Sequence, residues 1–133
     1  MQATARTSTS VRIGQVLSGL AVLFLLFDGI AKLLQLQAVI DATVELGYPR
    51  DIALTLGVIL LTCVVLYVVP QTSVLGAILL TAYLGGAVAT HVRIGNPLFS
   101  HVLFPTYLGA FLWAGLILRD ERLRMFLPIR REP

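Results

Sequence analysis

Apolar residues run through this chain in four long blocks, and polar residues gather in the gaps between them. A helix that crosses a bilayer needs roughly 20 mostly apolar residues, with a range of about 17–25. Four segments meet that requirement: 13–36, 52–69, 74–92 and 102–118. The first carries Asp28 and Lys32 in its second half. The second stops at Pro70, and the third before Arg93 and Gly95. The fourth stops at Arg119-Asp120-Glu121-Arg122, with Pro105 in its opening turn, where a missing N–H is tolerated. The blocks do not alternate polar and apolar positions, and they are too long and too rich in Leu, Ala and Gly for barrel strands. Backbone in lipid must satisfy its own hydrogen bonds, so helices follow. The expected fold class is all-α, an integral membrane four-helix bundle.

The connections differ from one another. Leu36 to Arg50 reads LQAVIDATVELGYPR. Leu36, Val39, Ile40 and Val44 share one helical face, and Gln37, Asp41 and Glu45 share another. This predicts a short amphipathic helix at the outer interface between spans one and two, ended by Gly47 and Pro49. Pro70-Gln71-Thr72-Ser73 is a short uncharged turn, which makes spans two and three a tight antiparallel hairpin. Gly95-Asn96-Pro97 marks a turn before the fourth span. The first dozen residues, rich in Thr, Ser and Ala, are expected to be a disordered tail. The organisation is then a tail over 1–12, one transmembrane domain over 13–118, and a basic tail over 119–133. Arg6 and Arg12 followed by an apolar stretch resemble the start of a signal peptide. No small-residue cleavage site follows, so that stretch is read as a retained span.

Composition agrees with this reading. Hydrophobic residues make up 57% and charged residues 13%, against about 25% charged in soluble domains. The mean hydropathy is +0.88. A soluble enzyme and a disordered chain are both excluded. The net charge of +3 and pI of about 9.5 follow from topology rather than from a nucleic-acid partner. Arg6, Arg12, Arg119, Arg122, Arg124, Arg130 and Arg131 fall on one side of the bilayer, and only Lys32, Arg50 and Arg93 on the other. The basic side is the cytoplasmic one, so both termini are expected in the cytoplasm. Cys63 is the single cysteine, so the chain forms no intrachain disulfide and has no redox dithiol.

With that topology the polar residues converge at one depth, near the outer side. Asp28 and Lys32 are one helical turn apart and can pair, and ionisable groups inside a span are candidates for function. His91, at the outer end of span three, can move protons or donate and accept hydrogen bonds. His101, at the start of span four, lies one short turn away. The candidate catalytic residues are Asp28, Lys32, His91 and His101; the candidate ligand-binding residues are Tyr83, Thr90, Arg93 and Asn96. Arg93 is placed to pair with Asp28, Asp41 or Glu45, to bind an anion, or to act as an interfacial anchor. No spaced ligand motif points to a metal. Small residues four apart, Thr81/Gly85, Ala82/Gly86 and Gly86/Thr90 in span three and Ala110/Ala114 in span four, predict close helix packing. The Gly85-Gly86 pair is expected to bring backbone near the bundle axis.

FDGIAKL in span one, ELGYP after the interfacial helix, LGAILLTAYLGGAVATHVRIGNPLFSH across span three and its loop, and LILRDERLRMFLP at the end together resemble the DoxX-like family of small bacterial four-span membrane proteins. The resemblance runs from about Gly19 to Pro128. The family takes its name from a membrane subunit associated with thiosulfate:quinone oxidoreduction, and other relatives are linked to membrane redox complexes and oxidative stress. The resemblance implies a multi-pass protein of the bacterial inner membrane. It also implies a redox-associated subunit that binds a quinone, or another lipophilic small molecule, near the outer leaflet. It carries over no residue role. Two alternatives use the same residues: a non-catalytic assembly or interaction subunit, and a small membrane enzyme of isomerase or epoxide-hydrolase type using Asp28 with His91 or His101 in acid/base chemistry. The expected partners are the lipid bilayer, a lipophilic small molecule, and a membrane or redox subunit or a second copy of the chain. Nucleic acid is not among them.

Overall fold

The computed structural model describes the backbone of residues 2–126 and the side chains of residues 9–123, 125 and 126. The end of the expected basic tail, residues 127–133, lies outside the described residues. Five α-helices follow one another: α1 (Gln2–Leu33), α2 (Gln37–Glu45), α3 (Ile52–Val68), α4 (Ser73–Arg93) and α5 (Phe104–Arg119), and no strand occurs among the described residues. A single turn of 3-10 helix over Pro70–Thr72 joins α3 to α4, a wide π-type turn over Leu98–Val102 leads into α5, and a 3-10 stretch over Glu121–Phe126 follows it. Residues 2–12, expected as a disordered tail, continue α1. That stretch holds neither Pro nor Gly, and extending an existing helix is far easier than starting one.

Three helical stretches, Thr9–Leu33, Pro70–Arg93 and Leu98–Arg119, are long and apolar enough to cross a membrane. The chain is therefore a multi-pass membrane protein. α3 is a fourth apolar helix, of 17 residues, about 25 Å long at 1.5 Å per residue. The four long helices form a ring in which α1 packs on α3 and α5, and α4 packs on the same two. Its centre is filled by Leu25, Leu60, Val64, Leu80, Leu112 and Leu116. Its outside is equally apolar: Phe27, Leu23, Val65 and Ile78 are all exposed, as expected where the surroundings are acyl chains rather than water.

Small residues set how closely the helices approach. A Cβ on Gly29 would meet Leu61, and one on Gly57 would meet Lys32 Cβ at 2.8 Å, so α1 and α3 touch almost backbone to backbone. The α1–α5 seam is tighter still. Gly14 lies against the Gly115 carbonyl, and Gly115 lies against the Ser18 hydroxyl. A hydrogen-bonded chain runs from this seam into the core. Arg119 Nη2 donates to Ser18 Oγ at 3.1 Å, and Tyr67 Oη donates to the Leu112 carbonyl at 2.6 Å. The Tyr67 proton being spent there, Ser18 Oγ donates to Tyr67 Oη at 2.7 Å. α1, α3 and α5 are thus tied at the end of the bundle that holds the α3–α4 turn.

Candidate functional site

The other end of the bundle carries the polar cluster. α1 ends in Asp28 and Lys32, whose Oδ2 and Nζ meet at 2.5 Å. The Lys32 side chain is 14% exposed and that of Asp28 36%. Lys32 lies in the last turn of α1, wedged against Gly57 of α3. Tyr83, on α4, packs partly buried against the core of the ring.

α2 ends as its sequence dictates. Gly47 adopts φ +89°, a conformation costly for residues with a Cβ, and Pro49 prevents the helix from resuming. The turn that results crosses to α4. The Arg93 guanidinium donates to the Leu46 carbonyl and lies over the Tyr48 ring, 5.8 Å from its centroid. Thr90 Oγ1 donates to the Gly86 carbonyl at 2.8 Å, so at its 2.7 Å contact with Tyr48 the phenol is the donor. Arg93 makes no ion pair among the described residues. It is a strap-holder, its charge used on a carbonyl dipole and an aromatic face. Replacing it with Ala should loosen the strap by about 1 kcal/mol, the typical worth of one hydrogen bond. Amide hydrogen exchange over Leu46–Tyr48 should then quicken about fivefold. Unchanged exchange there would show that the strap is held by something else.

Beyond the end of α4 the chain turns at Gly95, and Asn96 folds back so that its Nδ2 donates to His91 Nδ1 at 2.6 Å. With Nδ1 accepting, the proton of the neutral ring sits on Nε2. His101 is engaged at its own Nδ1 by Ser100 Oγ at 2.8 Å. The two imidazoles meet edge to face, 6.0 Å apart. Both are fixed at one nitrogen, and neither Nε2 has a hydrogen-bond partner among the described residues. No group of three His, Cys, Asp or Glu side chains able to hold a metal occurs among those residues.

The cluster therefore divides in two. Asp28 and Lys32 face the ring interior with Tyr83; His91, His101 and Asn96 form a separate group at the α4–α5 end; and Thr90 and Arg93 hold the strap between them. Two features escape a reading of the sequence. Tyr48, an ordinary interfacial aromatic by its position, is a strap contact, and ELGYP is its signal. The network of Ser18, Tyr67 and Arg119 is visible only when positions are compared across three helices. One expectation is corrected. A Cβ on Gly85 or Gly86 would meet nothing within 4 Å, so this pair faces outward and neither packs against a neighbouring helix nor approaches the bundle axis.

An all-helical bundle with three membrane-length helices and a polar cluster at one end defines a small multi-pass membrane protein. The chain belongs to the DoxX-like family, whose sequence model matches residues 16–115. No curated protein and no solved structure matches it.

Proposed function

We propose that this chain is a four-span protein of the bacterial inner membrane, with both termini in the cytoplasm, that holds the polar head of a quinone or another lipophilic molecule at its outer end as part of a membrane redox system. The observation that carries the reading is the His91–His101 pair. Each ring is anchored through Nδ1, and the Asn96 contact makes His91 Nε2 a hydrogen-bond donor suited to a carbonyl oxygen. α3, at about 25 Å, serves as the fourth span in this reading. The seven arginines near the termini set the orientation.

Duroquinone, a quinone without a tail, tests the site directly. It should bind the purified protein in nanodiscs, and His91→Ala should weaken binding about fivefold, the loss of one hydrogen bond worth about 1 kcal/mol. Absence of binding, or binding indifferent to His91→Ala, would sink the proposal. A second reading, an assembly subunit without catalysis, is favoured by the outward face of α4, where Ala82, Gly86 and Ala89 lie exposed. A partner that co-purifies in fixed stoichiometry would support it. An acid/base enzyme would need Asp28 open to substrate, and its carboxylate is occupied by Lys32 Nζ.

A further inference from the structure

Between α4 and α5, on the outside of the ring, runs a groove of about 340 Å³, at the low end of the roughly 300–1,000 Å³ typical of small-molecule sites. Leu84, Gly85 and Val88 line it from α4, and Pro105, Gly109 and Trp113 from α5. Its inner end is crossed by a bond from Trp113 Nε1 to Thr81 Oγ1, 2.7 Å long. Thr81 passes its own proton to the Ala77 carbonyl at 2.7 Å. Both polar groups at that end are therefore used up, and the groove is mostly apolar, with the Thr106 hydroxyl on its α5 wall. At the outer end the character changes. His91 lies one turn beyond Val88, and His101 lies four residues before Pro105, so the imidazole pair follows directly on the outermost residues that line the groove. From Thr81 to His91 is ten residues of helix, about 15 Å.

We infer that this groove holds the single apolar chain of a membrane amphiphile whose carbonyl head sits at the His91–His101 pair. The inference rests on the reading of that pair as a head-group site and adds where the rest of the ligand lies and what shape it has. Chemistry and size select the occupant. A helix of a second copy would leave the imidazole donor at the mouth without a carbonyl partner, because its own backbone carbonyls are bonded within the helix. A diacyl lipid brings two chains to a space for one. A single chain with a carbonyl at one end matches the donor at the mouth, the apolar walls and the length of about 15 Å.

Trp113, the only tryptophan, lines the groove and reports on it. Methyl ω-bromododecanoate has a carbonyl head and a heavy-atom quencher at its chain end. Titrated into the protein in micelles of unbrominated detergent, it should quench Trp113 saturably. Gly85→Leu fills the groove from a position where an added Cβ meets nothing, so the variant should fold normally. It should abolish the saturable part of the quenching and leave duroquinone binding unchanged. Shorter esters should bind more weakly, and chains beyond about 15 Å should gain nothing further. Equal saturation in Gly85→Leu and the parent, or quenching that only rises linearly with probe, overturns the inference while the head-group reading stands or falls on duroquinone. Saturable, Gly85-dependent quenching without duroquinone binding retains the groove and removes the quinone. Loss of a dimer in Gly85→Leu would assign the groove to a second copy and overturn the inference too.

Discussion

Gly76→Ala should lower stability by about 3 kcal/mol, the upper end of what overpacking normally costs. At most positions in a membrane bundle an added methyl displaces a flexible side chain. At Gly76 the new Cβ would lie on the backbone of the opposing helix, against Tyr67 N and Cα and the carbonyl carbon of Leu66. Backbone in a helix cannot step aside without breaking its own hydrogen bonds. Gly76 sits one turn into α4, directly after the Pro70–Thr72 turn, so the hairpin has no slack to open locally. Ser73 Oγ, which donates to the Tyr67 carbonyl at 2.8 Å, would be pushed away with it. Unfolding by SDS in mixed micelles, followed by circular dichroism, measures the effect. Gly86→Ala is the control: the same methyl on an open face, expected to stabilise by up to about 1 kcal/mol through helix propensity. Equal midpoints for Gly76→Ala and the parent would mean that α3 and α4 are not in contact at this point.

Asp28→Leu should cost about 2–3 kcal/mol by leaving the Lys32 ammonium without its counter-ion in an apolar setting. A fully buried pair broken on one side loses about 3–5 kcal/mol. The figure here is smaller because Asp28 is partly exposed and Lys32, in the last turn of α1, can extend toward the membrane surface. The double variant Asp28→Leu with Lys32→Met should return most of the loss, because apolar replacement of a whole buried pair is often neutral. The same two proteins divide structure from function. If the double variant is stable and still binds duroquinone, the pair serves only to let α1 and α3 lie together. If it is stable and binding is lost, the pair belongs to the site. If the double variant is as unstable as Asp28→Leu alone, the ammonium is not the source of the cost.

The helices were legible because the code for them is one-dimensional. Apolar blocks bounded by Pro70, by Gly95 with Pro97, and by the charged run after Leu118 gave α3, α4 and α5 to within a residue or two. The amphipathic spacing of Val39 and Ile40 against Gln37 and Asp41 gave α2, where Gln37 Nε2 indeed donates to Asp41 Oδ1 at 2.8 Å. The Asp28–Lys32 pair followed from i,i+4 spacing, and the approach of His91 to His101 from the short turn between them. What the sequence hid was facing. In water an inward face is marked by polarity. In lipid both faces are apolar, so nothing in IGQ, AGL or LGG says that Gly14 and Gly115 look at each other while Gly85 and Gly86 look away. The partners of Tyr48, Tyr67 and Arg93 depend on that facing, and they were illegible for the same reason.

The seam between α1 and α5 has a consequence for how the protein is made. The ring closes where α1 meets α5, which is made after the other three long helices. Until α5 leaves the ribosome and enters the membrane, Gly14 and Ser18 face lipid, and the Tyr67 hydroxyl lacks its acceptor on Leu112 and has only Ser18 beside it. Arg119, in the final turn of α5, delivers the last bond, to Ser18. A nascent chain halted before α5 is an open arc of three helices in which Ser18 and Tyr67 lack their partners on α5.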